Sequence, residues 1–281
     1  MTQGIIKNFL LFYGIKRTIS LEVMMKKYLV VSLKGGVSKT TSAIALATGL
    51  KKKHPEARIL LLETDPTGSI KTQFGLKFSS SKADYFDFLV EGIPLEEAIN
   101  KVQTSTGEID VVIASRRLAD ADVKMSSFPR REETLNLRMK KEADSGGLKY
   151  DYLIIDSGPA MSLVLLNSML FCDNWVIPIT LDPFCISNIQ YVLKQKEIIE
   201  EFWELKRNIT GILPTQLDRR FKNIDYLEAI KQGFPNIRIF EGIPTDSLIK
   251  RAIVKKQLIY DQKASKAGDA YLKFIDEIEA L

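Results

Sequence analysis

Residues 32 to 41, SLKGGVSKTT, place two lysines, two adjacent glycines and four hydroxyls within ten positions. That set suits the holding of phosphate. Glycines let the backbone bend around an anion with its N–H groups turned inward, and a helix starting near Lys39 adds its positive end. Gly35, Gly36, Val37 and Ser38 then form the cradle, Lys39 reaches the outer phosphates, Thr40 ligates Mg²⁺ and Thr41 bonds an inner phosphate. The pattern G-x-x-x-x-G-K-[ST] fails here, because Leu33 and Ser38 stand where it has glycine. Two carboxylates complete the candidate chemistry. Asp65, in LLETDPTGS, suits orientation or activation of an attacking water beside the metal ion, and Asp156, in YDYLIIDSGPA, suits holding that ion through water.

These residues need a scaffold that brings them together. Short apolar, β-branched runs recur at 28–33, 58–63, 109–114, 152–156, 174–179, 209–213 and 237–240. Nearly continuous apolar runs are the mark of strands buried on both faces, as in parallel sheets. Helical stretches are expected between them, at 41–53, 94–101, 187–203 and 225–232. The alternation predicts a doubly wound α/β domain over residues 26–281, with a mostly parallel sheet flanked by helices. In such sheets ligands bind at the carboxyl ends of the strands, so the phosphate loop, Asp65 and Asp156 should converge. The basic and acidic stretch 128–149 reads as a solvated helix and turn.

KGGVSKTT, TDPTGS and LIIDSGPA resemble the deviant Walker A, switch I and switch II segments of the ParA/MinD family of ATPases. ADYFDFLVEGIPLEEAI with IDVVIASRRLADAD, then NWVIPITLDPFCISNI, GILPTQLDRR and IFEGIPTDSLIKRA, extend the likeness over residues 26–275. The resemblance implies a P-loop fold that binds ATP with Mg²⁺ and hydrolyses it. It makes Lys34 a signature lysine that reaches across a nucleotide-sandwich homodimer to the second copy's phosphates, and it places the adenine near Pro244, Thr245 and Asp246. It further implies nonspecific binding to double-stranded DNA and a ParB-like centromere-binding partner that stimulates hydrolysis. Three departures stand out: Ser38 in place of the family's usual glycine, Glu63 in place of aspartate and Thr67 in place of glutamine. If position 38 needs positive φ, the serine costs on the order of 1 kcal/mol.

The chain carries a formal net charge of +5, while 206–256 holds 11 Lys or Arg against 5 Asp or Glu. Arg219, Arg220, Lys222, Lys250, Arg251, Lys255 and Lys256 are the candidate contacts to DNA phosphates. A MinD-like positioning ATPase is one alternative, but the terminal AGDAYLKFIDEIEAL carries more acids than bases, which argues against membrane attachment. A nitrogenase-type iron protein would need cysteines near the dimer axis, and Cys172 and Cys185 lie on or beside the strand at 174–179. A metabolic enzyme of the dethiobiotin or cobyrinate synthetase type, or a scaffold that no longer hydrolyses ATP, are further alternatives. Two cysteines form no disulfide framework, so a reducing cytoplasm is expected, and the resemblance implies association with the nucleoid. The leader, residues 1–25, has no apolar run long enough to span a membrane. It reads as a short packing or lipid-touching helix, or as a segment not natively made.

Overall fold

The computed structural model describes residues 25–77, 82–218 and 224–281. The expectations for the leader, and for Arg219, Arg220 and Lys222, lie outside them. Among the described residues seven strands form one sheet in the order β3-β4-β2-β5-β1-β6-β7. They are β1 (Lys26–Val30), β2 (Ile59–Thr64), β3 (Ile99–Thr104), β4 (Gly107–Val112), β5 (Tyr152–Ser157), β6 (Asn174–Thr180) and β7 (Asn208–Thr215). All neighbouring pairs are parallel except β3 with β4.

Alternation along the strands sends successive side chains to opposite faces. Leu29, Leu60, Leu62, Leu153 and Ile155 enter one apolar layer, and Tyr28, Val30, Ile59, Leu61 and Ile154 enter the other. The first layer packs under α6 (Leu163–Phe171) and α7 (Cys185–Trp203), and the second under α1 (Lys39–Lys53) and α10 (Lys266–Glu279). Both cysteines are buried within the first layer. The helix expected from 187 to 203 is α7, and the one from 225 to 232 is α8 (Ile224–Gly233).

Three expectations are corrected. In place of the helix expected over 94–101, helix is confined to α3 (Leu95–Ala98), because Ile99 turns to extended backbone and INKVQT pairs antiparallel with β4. The run at 237–240 makes only an isolated bridge, Ile212 with Ile239, and not a strand. Within 128–149, α5 (Thr134–Asp144) is not wholly solvated: Leu135 and Met139 are buried, and Asn167 accepts from the Leu135 N–H at 2.9 Å.

Candidate nucleotide-binding site

The phosphate loop leaves β1 and enters α1 across residues 31–38. Its start is held by α7, where Asn188 Oδ1 accepts from the Leu33 N–H at 3.1 Å and Asn188 Nδ2 donates to Ser32 Oγ at 2.8 Å. Its far side is held by the end of β7, where the Thr215 hydroxyl lies 3.2 Å from the Val37 carbonyl. Gly36 has φ 76°, which glycine adopts without the side-chain clash other residues meet. Ser38 has φ 64° and ψ 27°. The position therefore has the positive φ that the family's glycine would suit.

Lys39 is buried at 7% exposure and donates to the Lys34 carbonyl at 3.0 Å. Burial lowers its pKa, opposed by the nearby carboxylates of Asp156 and Asp65. Those carboxylates do converge on the loop. In the parallel register Asp156 lies between Val30 of β1 and Glu63 of β2. A Cβ on Gly158 would sit 3.8 Å from the Asp65 carboxyl carbon, so the ends of β2 and β5 meet there.

Asp156 is fully buried, and neither carboxylate oxygen has a hydrogen-bond partner among the described residues. Burial raises its pKa to about 8; Glu63 and Asp65 add to this, while Thr40 and Lys39 oppose it. The Thr40 hydroxyl thus faces this carboxyl without completing a well-formed hydrogen bond. A buried polar group without a partner is costly. An acceptor pair left open beside a threonine hydroxyl fits a divalent cation of the magnesium kind, which takes one or two protein oxygens and completes its shell with water and phosphate. Asp65 is half-buried, and its Oδ1 accepts from the Thr67 N–H at 2.9 Å, shaping the turn that carries it.

Glu63 is a structural clasp. Its oxygens accept from the Ile70 N–H at 2.6 Å and the Ala114 N–H at 3.1 Å, tying α2 (Ser69–Phe74) to the end of β4. Burial raises its pKa to about 7, against those two hydrogen bonds.

Lys34 sits on its own chain. Its ammonium pairs with Asp182, lies 3.3 Å from Thr180 Oγ1 and is 5.8 Å from the centre of the exposed Phe184 ring. Burial pushes the Asp182 carboxyl up, but Lys34, Thr180 and the Phe184 N–H outweigh it and leave it below its usual range. Sequence reasoning missed Asp182, although it too is a carboxylate just past a strand end.

Other expected residues divide. Asp246 is engaged as the cap of α9 (Ser247–Lys255): Oδ1 accepts from Leu248, and Oδ2 from Ser265 and Ala267. Pro244 and Thr245 pair with Leu217 just after β7, near the loop but committed in their backbone. Thr40 and Thr41 open onto a cavity of about 320 Å³ whose apolar wall includes Ile249, Ala252, Ile253 and Leu258. Those wall residues were also missed, since they read as one side of an ordinary amphipathic helix. Lys250, Arg251, Lys255 and Lys256 are all exposed along α9 and its C-terminal end.

A seven-stranded, mostly parallel sheet with a phosphate loop after its first strand and carboxylates at two neighbouring strand ends defines a P-loop nucleotide-binding protein. The sequence profile of the family described as AAA domain matches residues 25–210. The chain belongs to that family, as one of its ParA/MinD-type members. It is 26% identical over 260 residues to the sporulation initiation inhibitor protein Soj of Bacillus subtilis, covering 92% of this chain and 99% of Soj. Apo McdA of Cyanothece superposes with a TM-score of 0.80 at 20% identity, covering 91% of this chain and 99% of McdA. Cobyrinic acid a,c-diamide synthase of Mycobacterium smegmatis, with ADP and magnesium bound, superposes with a TM-score of 0.74 at 21% identity, covering 90% and 93%.

Proposed function

We propose that the chain is a ParA-type partition ATPase. ATP and Mg²⁺ bring two copies together, the homodimer binds double-stranded DNA without reading its sequence, and a ParB-like centromere-binding protein stimulates hydrolysis to release it. The observation that carries this reading is the pair of lysines flanking Gly35 and Gly36. Lys39 is buried within the loop, whereas Lys34 lies outside it at 33% side-chain exposure. A cation outside the loop supports the reading that it serves the site of a second copy.

In this reading the loop N–H groups and Lys39 bind the phosphates, and Thr40 and Asp156 orient the metal ion. When bound, magnesium neutralises charge that develops on the transferred phosphoryl group. Asp65 orients the attacking water. Lys34 leaves Asp182 and reaches the phosphates of the second copy, where a cation stabilises the transition state as an arginine finger does. The cavity beside Thr41 gives the nucleoside apolar room. Lys250, Arg251, Lys255 and Lys256, with Arg219, Arg220 and Lys222, supply charge for DNA phosphates.

Proteins named as the chromosome partitioning protein ParA, of Caulobacter vibrioides and Myxococcus xanthus, match at 26% and 28% identity over 89% and 85% of this chain, which supports partition, whereas the likeness to the synthase, at 21% identity, is one of fold. Helix α10 buries Tyr271, Phe274, Ile275 and Ile278 in the second core layer, so this apolar face is not free to meet a membrane. Among the described residues no helix is long and apolar enough to cross a membrane.

The test is steady-state ATP turnover with Mg²⁺ in the wild type, Asp65→Ala and Lys34→Ala. Wild-type turnover is expected without any small co-substrate. Loss of one catalytic group costs roughly a hundredfold or more in rate, with nucleotide binding kept for Asp65→Ala. Turnover undiminished by Asp65→Ala, or dependent on a small carboxylic acid, overturns the reading.

A further inference from the structure

Ser38 stands at the N-cap of α1 but caps nothing. A serine there ordinarily takes extended backbone angles and bends its hydroxyl back to accept an N–H of the first turn. Ser38 is instead left-handed, with no side-chain bond to the helix. Its hydroxyl faces Gln216, just past the end of β7. Gln216 Nε2 donates to Gly36 O at 2.5 Å and to Ser38 Oγ at 3.1 Å. Gln216 is itself left-handed, with φ 56°, and the next residue is anchored on both sides: the Leu217 N–H donates to Ile243 O at 3.0 Å, and its carbonyl accepts from Thr245 at 2.9 Å.

The competing chemistry is plain. The free N–H groups at the start of α1 are those a phosphate needs. A glycine at position 38 cannot occupy them, but the hydroxyl of a serine that relaxed to extended backbone could. We propose that Gln216 is a positioning residue that holds the Ser38 hydroxyl away from the N-terminus of α1 and so keeps the phosphate site open. The inference rests on the reading of this loop as an ATP site. It assigns a partner to Ser38, the residue by which this loop departs from the glycine-bearing one.

The experiment is a double-mutant cycle of Gln216→Met and Ser38→Gly in the full chain, read by calorimetric titration with Mg-ATP and by steady-state turnover. Methionine keeps the length of glutamine and removes both donors. In the wild-type background Gln216→Met is expected to weaken ATP binding about five- to tenfold, the worth of one hydrogen bond, and to raise KM with kcat retained. With Ser38→Gly already in place, the same change is expected to cost less than about twofold. The split between KM and kcat separates positioning from damage to the fold, and melting of unliganded Gln216→Met within about 2 °C of wild type is expected because the side chain is exposed. Binding by Gln216→Met within twofold of wild type overturns the inference, and so does an equal loss in both backgrounds, which would leave only the Gly36 contact. A wild type that binds no adenine nucleotide overturns the ATP reading itself.

Discussion

Ser38 tests whether a local rule has been broken at a cost. At φ 64° a residue with a side chain loses on the order of 1 kcal/mol relative to glycine. Ser38→Gly is therefore expected to raise the melting temperature of the unliganded protein by about 2–4 °C in calorimetry. A fall would mean that the exposed tether to Gln216 outweighs the backbone penalty. Asp156 offers a second test. Its carboxyl is raised to about 8 and that of Glu63 to about 7, so each binds its proton more tightly folded than unfolded. That contribution to stability is full below the unfolded carboxylate range near pH 4 and is lost as pH rises through about 7 to 8. Melting of the unliganded protein should decline from pH 5 to pH 8.5, and Asp156→Asn should flatten the decline while abolishing stabilisation by Mg-ATP. An unchanged slope would contradict the assignment of the buried, unpartnered charge to Asp156. The loop lysine, Thr40, Asp65 and Asp156 were legible in sequence because each ends or follows a strand. Gln216 was not, since its role depends on the register of β7 and on a left-handed turn that no local pattern announces.

Elements were legible where a single signal dominated. The apolar runs at β1, β2, β5 and β6 read as strands buried on both faces, and the candidate site lies at their ends. The signal failed at β3, where IPLEEAINK offers helix-forming residues but Ile99 starts an edge strand set by pairing with β4. Tertiary pairing overrode propensity there. It failed again at 237–240, whose backbone bonds to β7 run to Ile212 and do not extend into a ladder. Helix α9 carries a prediction at this scale. Its Lys250 and Arg251 are exposed, beside the apolar wall that lines the cavity next to Thr41. Replacing both by glutamate is expected to weaken binding to random-sequence duplex at least about tenfold. It should also make the logarithmic salt dependence shallower by about two, one for each DNA phosphate that is no longer neutralised. An unaltered salt slope would move the DNA face away from α9.

At the scale of the whole molecule, the two lysines of one loop have different fates. Lys39 is sealed inside the site, whereas Lys34 rests on Asp182 and Thr180 at the rim, beside the exposed rings of Phe184 and Tyr191. In the proposed homodimer Lys34 of one copy would finish the site of the other, so ATP would form part of the dimer contact and assembly would double the basic surface offered to DNA. The excess of positive charge in 206–256 is local, since the rest of the chain is nearly neutral. Two such surfaces on one particle bind a polyanion far more tightly than one. The most direct measurement is sedimentation velocity of the full chain with a random-sequence DNA duplex in Mg-ATP, in Mg-ADP and without nucleotide. The account predicts a homodimer that co-sediments with DNA in Mg-ATP, and a DNA-free monomer in the other two conditions. A monomer in Mg-ATP, or equal DNA binding in all three, would contradict it.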